Sequence, residues 1–281
     1  MSKKWDLIIT SKNKWYNFNF SELIKYIDLI FFLVKRDFVV FYKQTILGPL
    51  WYILQPLINT LIFTIIFGKI AKIPTDGIPP FLFYMSGNII WLYFATCINL
   101  TSSTFSTNQN IFGKVYFPRL VVPISYIIIS LVQFTLQFVI FILFILYFYS
   151  QGVTFNFTIL SFILLPLLII LTAFISIGFG IFLASLTTKY RDLNFVISFG
   201  IQLWMFATPI VYPLSIVNES YKFFFYLNPM TFIVETFRGI FFGIDSFTIT
   251  SFILCIFVAL IVFIFGLILF NNVEKKFMDT I

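Results

Sequence analysis

Acid–base, nucleophilic and metal chemistry need residue types that this sequence supplies only sparsely. The 281 residues include no histidine, so a histidine base and histidine metal ligands are absent. Asp28 and Asp37 could be considered as the carboxylate pair of a sugar transferase, but both lie beside basic residues and are typical of ion pairs on a helix surface. Cys97 and Cys255 lie in apolar runs, which indicates buried thiols. No segment matches G-x-x-x-x-G-K-[ST], so we expect neither a nucleotide site nor enzyme activity in this chain.

Glu235 and Arg238 are three positions apart, so one face of a helix would carry both. The pair lies within segment 208–243, where prolines separate two apolar pieces, 223–227 and 230–242, each too short to cross a bilayer. Such pieces predict re-entrant helices, which are tolerated where protein shields the backbone. A charged pair at membrane depth indicates either a gate on a pathway or an ion pair that shapes the turn.

The composition places these residues in a membrane protein. Hydrophobic residues make up 60% of the chain and charged residues only 10%, whereas soluble domains are about one quarter charged. A water-soluble fold could not hide so much apolar surface, which predicts an all-α integral membrane protein. The 42 phenylalanines fit lipid-facing bulk better than a specialised aromatic lining.

Uncharged stretches of about 20 residues predict six transmembrane helices within a domain at 47–281. Residues 120–188 are too long for one helix and suit a hairpin that turns at "YSQGVTFN", 149–156. The other spans are expected at 50–68, 81–99, 193–218 and 246–272. In the fourth span Ser176, Gly180 and Ala184 recur every four residues, which favours close packing within the chain over a dimer contact.

Basic residues predict the orientation of these spans. An even number of spans places both termini on one side. Of the 18 basic residues, 14 lie on that side and four lie in the opposite loops. Because positive charge concentrates in cytoplasmic loops, both termini are expected in the cytoplasm.

The segment 21–46 is predicted to be an amphipathic helix in the cytoplasmic interface. Ser21 and Glu22 form a plausible helix start, and Gly48-Pro49 would break the helix before the first span. Its charged residues fall near one face of the helix, and apolar residues lie between them in the sequence. This pattern is typical of a helix in the membrane interface or of a simple membrane anchor. The charged residues of that face are Lys25, Asp28, Lys35, Arg36 and Lys43. Residues 1–20 form an extension without an assigned role.

The predicted cytoplasmic loop 108–119 carries unusually large apolar side chains for a loop. Such side chains favour docking on a partner over a loop that folds back on the bilayer. They are Ile111, Phe112, Val115, Tyr116 and Phe117.

Five motifs in a fixed order resemble a known family. "RDFVVFYKQTILGPLWYILQPL" at 36–57 is similar to the opening signature of the polysaccharide-export permeases of the ATP-binding-cassette superfamily, which export O-antigen, capsule and teichoic-acid chains. The matching positions are Arg36, Asp37, Tyr42, Lys43, Gln44, Leu47, Gly48, Trp51, Gln55 and Pro56. The later landmarks are "KVYFPRLVVP" (114–123), "YRDL" (190–193), "TPIVYP" (208–213) and "LNPM" (227–230) followed by Glu235 and Arg238.

This resemblance implies a multi-pass protein of the bacterial inner membrane that forms a homodimer with a translocation channel along its interface. Two separate ATPase subunits would bind ATP and Mg²⁺, and this chain would hold no cofactor or metal of its own. The segment 213–243 would form an outer gate that includes Pro229, Glu235 and Arg238. The ATPase-coupling helix would comprise Asn108, Gln109, Asn110, Ile111, Phe112, Gly113 and Lys114.

The substrate that this resemblance implies is a polymer on a polyprenyl-diphosphate lipid. Its anionic head would be drawn to Lys35, Arg36 and Lys43, which would lie at the cytoplasmic entrance. Its sugars would slide past aromatic rings, although tryptophans also anchor helices at membrane interfaces. The candidate rings are Trp51, Tyr52, Trp91, Tyr93, Trp204 and Phe206.

Other functions stay open at this point. A drug or small-lipid exporter of the same superfamily would have similar spans, but the long amphipathic helix argues against it. A polyprenyl-linked sugar or acyl transferase would need a carboxylate pair or a histidine base. A secondary transporter would show internal repeats and charges within the spans, and neither is visible here.

Overall fold

The computed structural model describes residues 20–43, 46–155, 159–190, 192–243 and 248–276, and the regular elements in these ranges are helices. The predicted extension 1–20 lies almost wholly outside the described residues, and so does Gln44 of the opening signature. The all-α prediction is confirmed for the described part of the chain.

The predicted amphipathic segment forms two helices, α1 (Phe20–Lys25) and α2 (Ile27–Lys43). A 3₁₀ turn, Gly48–Leu50, leads into α3 (Trp51–Phe63), which continues as a π-helical stretch, Thr64–Ile70. Gly48 adopts a φ of 51°, a conformation that glycine reaches without strain, and Pro49 occupies the first turn that follows. The predicted break at Gly48-Pro49 is therefore confirmed.

The remaining helices follow in chain order. They are α4 (Pro80–Ser102), α5 (Thr104–Thr107), α6 (Gln109–Phe112), α7 (Val121–Ser150), α8 (Ile159–Thr187), α9 (Leu193–Phe206), α10 (Glu219–Leu227), α11 (Pro229–Phe242) and α12 (Ile249–Lys276). α7 and α8 confirm the predicted hairpin, with Gly152 at a φ of 90° in its turn. α10 and α11 coincide with the two short apolar pieces expected before the last span.

Five helices of the described chain are long and apolar enough to cross a membrane: Gly48–Ile70, Pro80–Ser102, Val121–Ser150, Ser161–Thr187 and Ile249–Glu274. A sixth spanning helix is not confirmed. The predicted span 193–218 forms a helix of 14 residues, α9, which is about 21 Å long and shorter than the hydrocarbon core. From residue 207 to 213 the backbone is irregular, because Pro209 and Pro213 cannot donate helical hydrogen bonds.

α4 forms the centre of the bundle and packs against α3, α7, α8, α9 and α11. Its buried Asn88 donates a hydrogen bond to the carbonyl of Pro56 (3.2 Å), which lies inside α3. The α8 stripe packs within the chain, as predicted: a Cβ added to Gly180 would lie 2.5 Å from the Cβ of Thr101 on α4. α8 also crosses α12 in direct backbone contact, where Gly178 faces Gly266.

Candidate functional site

The loop between α4 and α7, residues 103–120, contains the predicted coupling segment. Asn108 separates α5 from α6 and accepts the backbone N–H groups of Ile111 (3.0 Å) and Phe112 (3.0 Å) at its carbonyl. The 103–120 loop therefore has a defined helical conformation of its own, held in shape by its backbone.

The 103–120 loop has an inner face and an outer face. Phe112 and Phe117 are buried in an aromatic cluster with Phe105 of α5 and Phe270 of α12. Tyr116 lies on the outer face, with 78% of its surface exposed. Of the apolar side chains that the sequence marks for docking, some therefore pack inside the chain and others remain available to a partner.

The predicted coupling residues divide between these two faces. Asn108 and Phe112 are buried, whereas Gln109 and Ile111 are half-buried. The exposed members are Asn110, Gly113 and Lys114, which continue into exposed Val115 and Tyr116.

Arg119 fixes the end of the 103–120 loop to the end of α12. Its backbone N–H donates to a carboxylate oxygen of Glu274 (3.2 Å), and its guanidinium donates to the Glu274 carbonyl. The same guanidinium lies over the ring of Phe112, 5.6 Å from the ring centre. Burial lowers the pKa of Arg119 from its ordinary value, and the nearby Glu274 carboxylate opposes that shift.

α2 packs beside the 103–120 loop and exposes the basic residues predicted for the entrance. Ile30 and Leu33 are buried in the same cluster as Phe112 and Tyr126. Lys35 and Lys43 are exposed, while Arg36 is partly buried and forms an ion pair with Asp37 (Nε to Oδ1, 2.7 Å).

The six aromatic residues predicted for the polymer channel lie in two different environments. Trp51 and Phe206 are exposed, and Tyr52 is half-buried. Trp91 and Tyr93 are only 3% and 2% exposed, because α4 is enclosed by its neighbours. Trp204 is half-buried between these groups, with its ring centre 5.1 Å from that of Phe94 and 6.3 Å from that of Trp91.

A stripe of polar residues that the sequence reasoning missed lies where α4 meets α9. Asn99 is partly exposed, and Ser198 on α9 donates a hydrogen bond to its Oδ1 atom (3.1 Å). Exposed Gln202 lies one turn beyond Ser198. The sequence did contain a signal for this stripe, because polar residues recur there at spacings of three and four positions. These residues are Thr96, Asn99, Ser103 and Ser106, and all four are partly buried.

Arg238 on α11 is fully buried at the opposite end of the bundle and is bound on several sides. It donates to the carbonyls of Pro209 and Ile210 (2.7 Å for Ile210) in the irregular segment after α9, and lies 3.5 Å from the carbonyl of Phe83 on α4. Its guanidinium also stacks over the Phe83 ring at 3.7 Å. Glu235 accepts a hydrogen bond from the same guanidinium (3.1 Å), so the predicted pair is present.

Asn228 joins the end of α9 to the start of α11. Its side-chain oxygen accepts the indole N–H of Trp204 (3.2 Å) and the backbone N–H of Met230 (3.1 Å). Its amide donates to the hydroxyl of Thr208 (2.9 Å). Pro229 is buried at the first position of α11, where a missing N–H costs nothing.

Comparison with known proteins finds relatives that are similar in sequence over most of the length of this chain. The chain is 29% identical to the O-antigen export system permease protein RfbA of Myxococcus xanthus over 224 residues, 79% of this chain and 83% of that protein. It is 27% identical to the RfbA protein of Klebsiella pneumoniae over 254 residues, 90% and 94% of the two chains. It is 29% identical to the polysialic acid transport protein KpsM of Escherichia coli over 195 residues, 68% and 72%.

The family model described as "ABC-2 type transporter" matches residues 28–242. That range includes α2 from its second residue, the 103–120 loop, and Arg238 with the residues that it contacts. It covers well over half of the chain. This protein therefore belongs to the ABC-2 type transporter family of membrane proteins.

Proposed function

We propose that this chain is the permease subunit of an ATP-driven exporter that moves lipid-linked polysaccharide across the bacterial inner membrane. The observation that carries the proposal is the 103–120 loop, whose outer face exposes Lys114, Val115 and Tyr116 while its inner face is fixed among the helices. A partner that pushed on this face would move the bundle. The relatives named for O-antigen export and polysialic acid transport support the same substrate class.

The proposed assembly contains two copies of this chain and two separate ATPase subunits, which bind ATP and Mg²⁺. The charge distribution supports cytoplasmic termini, with α2 in the cytoplasmic interface and the 103–120 loop on the same side.

The sixth crossing in this proposal consists of α9 together with the irregular segment 207–213. Irregular backbone is tolerated at membrane depth only where its polar groups have partners within the protein. Arg238 provides such partners for the carbonyls of Pro209 and Ile210, and the Asn228 amide provides one for the carbonyl of Ala207 (3.4 Å). α10 and α11 would then be re-entrant helices on the outer side, which return the chain to the start of α12.

The polymer path in this proposal runs along faces of α3 and α9 that this chain leaves uncovered, beside the partly exposed Asn99 near the end of α4. Asn99, Ser198 and Gln202 present uncharged hydrogen-bonding groups in otherwise apolar helices. Polar groups at membrane depth are costly against lipid and suit a hydrated or sugar-filled cavity. Exposed Trp51 and Phe206 provide apolar ring faces beside them, whereas buried Trp91 and Tyr93 support the wall of the path from behind.

The anionic lipid head would meet α2 in this proposal. Lys35 and Lys43 are exposed and not engaged in the Arg36–Asp37 ion pair, so their charge is available to a diphosphate.

The test is co-purification from the native membrane with a tagged chain. We expect an ATPase subunit in about equal amount, with ATP hydrolysis stimulated by lipid-linked polysaccharide. The variant Lys114→Glu/Tyr116→Ala changes only exposed side chains of the 103–120 loop and should weaken that association. Tyr149→Ala, an exposed tyrosine at the other end of α7, is the matched control and should leave it intact.

The outcomes separate the alternatives. Stimulation by short-chain lipids or drugs in place of polysaccharide would favour a small-lipid or drug exporter of the same family. Sugar transfer by the purified chain without an ATPase would overturn the proposal in favour of a transferase.

A further inference from the structure

The side chain of Tyr126 contacts the 103–120 loop through its hydroxyl and shares an apolar cluster with α2. Tyr126 belongs to the second turn of α7 and is buried in the cluster that also contains Ile30 and Leu33 of α2. Asn108 of the loop is buried beside it, and its side-chain amide donates a hydrogen bond to the Tyr126 hydroxyl (2.9 Å).

The Asn108 amide uses its two hydrogens in two directions. One is donated to the Thr104 carbonyl (2.9 Å), inside the loop itself. The other reaches Tyr126, 18 positions further along the chain. Because a buried amide that loses a partner is costly, this geometry holds the loop and the start of α7 together as one unit.

α2 packs against α7 and shares an apolar cluster with Tyr126. Ile30 and Leu33 pack into the cluster that surrounds the Tyr126 ring, so α2 contacts the first turns of α7 along its buried face. Tyr126 therefore adds a polar link between Asn108 and the apolar cluster that holds α2.

We propose that Tyr126 is a positioning residue that makes α2 follow the 103–120 loop when the ATPase moves that loop. This inference rests on the proposed function and adds to it a specific link between the coupling surface and the basic entrance helix. Tyr126 itself contacts neither the ATPase nor the polymer in this proposal, and it acts through Asn108 and α2.

The test uses Tyr126→Phe, which removes the hydroxyl and keeps the buried ring, in the full complex with its ATPase. We expect normal assembly and retained ATP hydrolysis, with polysaccharide export lowered about fivefold, the factor that one hydrogen bond of ordinary strength is worth. Tyr149→Phe removes an exposed hydroxyl at the far end of the same helix and is the matched control.

Spin labels measure the proposed link directly. The labels are attached at Thr107→Cys on the loop and Asp28→Cys on α2, two positions that are exposed. The native Cys97 and Cys255 are fully buried and should not react with the label. The label-to-label distance in the unsubstituted background should stay constant between the nucleotide-free and vanadate-trapped complexes, because the two elements move together. In Tyr126→Phe the distance should change on trapping, because the loop then moves without α2.

A double variant shows whether one bond carries the effect. If Asn108 and Tyr126 act through their shared hydrogen bond, Asn108→Ala/Tyr126→Phe should export no less than Asn108→Ala alone. Export by Tyr126→Phe at the level of Tyr149→Phe, or a distance in Tyr126→Phe that does not change on trapping, would overturn the link. A parent chain that neither exports polysaccharide nor hydrolyses ATP with a partner would instead overturn the proposed function.

Discussion

At the end of the bundle that carries the 103–120 loop, single side chains meet across element boundaries: Asn108 bonds Tyr126, and Arg119 bonds Glu274. At the opposite end one guanidinium, Arg238, binds backbone carbonyls from two segments and a carboxylate on its own helix. The first arrangement joins short elements by separate contacts above an aromatic cluster. The second arrangement buries the full positive charge of Arg238 and surrounds it with carbonyl and carboxylate oxygens.

This difference shows that the two ends have different mechanical properties. The contacts at the loop end do not include a fully buried charge, so this end can be displaced together with the elements bonded to it without unfolding. A buried charge cannot lose its partners without a large cost, so α4, the segment after α9 and α11 move as one body. In an exporter the first end suits the input of force and the second suits a fixed frame for the exit.

Removal of the Arg238 side chain gives the largest expected effect. Arg238→Met leaves the carbonyls of Pro209 and Ile210 and the carboxylate of Glu235 without their partner, and it should destabilise the fold by about 3–5 kcal/mol. The thermal unfolding midpoint in detergent measures this loss. Arg238→Lys keeps the charge but lacks the planar fork, so its midpoint should fall between those of the parent chain and Arg238→Met. An unchanged midpoint for Arg238→Met would remove the contrast between the two ends.

Truncation on the two faces of the 103–120 loop should give opposite results. Phe112→Ala removes a buried ring and should cost about 3 kcal/mol of stability, since large-to-small changes in a core leave a cavity. Tyr116→Ala removes an exposed ring and should leave the unfolding midpoint within the error of measurement while it weakens ATPase binding. Equal effects of the two variants on unfolding would show that the loop has no inner face.

A methyl group added beside Arg238 should give a smaller effect. The Cβ of Gly87→Ala would lie 2.8 Å from the Arg238 guanidinium and 3.2 Å from the Cγ2 atom of Ile210. Overpacking of this kind costs about 1–3 kcal/mol, and the unfolding midpoint should fall accordingly. Gly200→Ala on α9 is the matched control, because nothing lies within 4 Å of its added Cβ. A loss of stability in the control as large as that in Gly87→Ala would contradict the assignment to Arg238.

Much of this arrangement could be predicted from the sequence, because uncharged runs and breaker residues report directly on helices. The α7–α8 hairpin, the Gly48-Pro49 break, the internal packing of Gly180 and the short helices α10 and α11 all follow from such patterns. Hydropathy does not, however, distinguish a helix from irregular backbone. The uncharged run 193–218 therefore predicted one continuous spanning helix, whereas the helix in the structure, α9, already ends at Phe206.

The site was less accessible to sequence reasoning, for two physical reasons. Backbone carbonyls are the main partners of Arg238, and they have no residue identity that a sequence pattern could reveal. Aromatic residues in apolar runs look alike, so Trp91 could not be separated from Trp51 before the position of α4 at the centre was known. Tyr126 gave no signal either, because its role depends on Asn108 across a loop.

The contact of Gly178 with Gly266 has a consequence for biogenesis. α12 is the last of the described helices to leave the ribosome, and it completes a seam with α8 that earlier helices cannot close. Before α12 packs against it, this face of α8 presents small residues and backbone with no helix to cover them. A chain interrupted before residue 249 would lack this seam, so the close packing of α8 can be completed only after α12 has been synthesised.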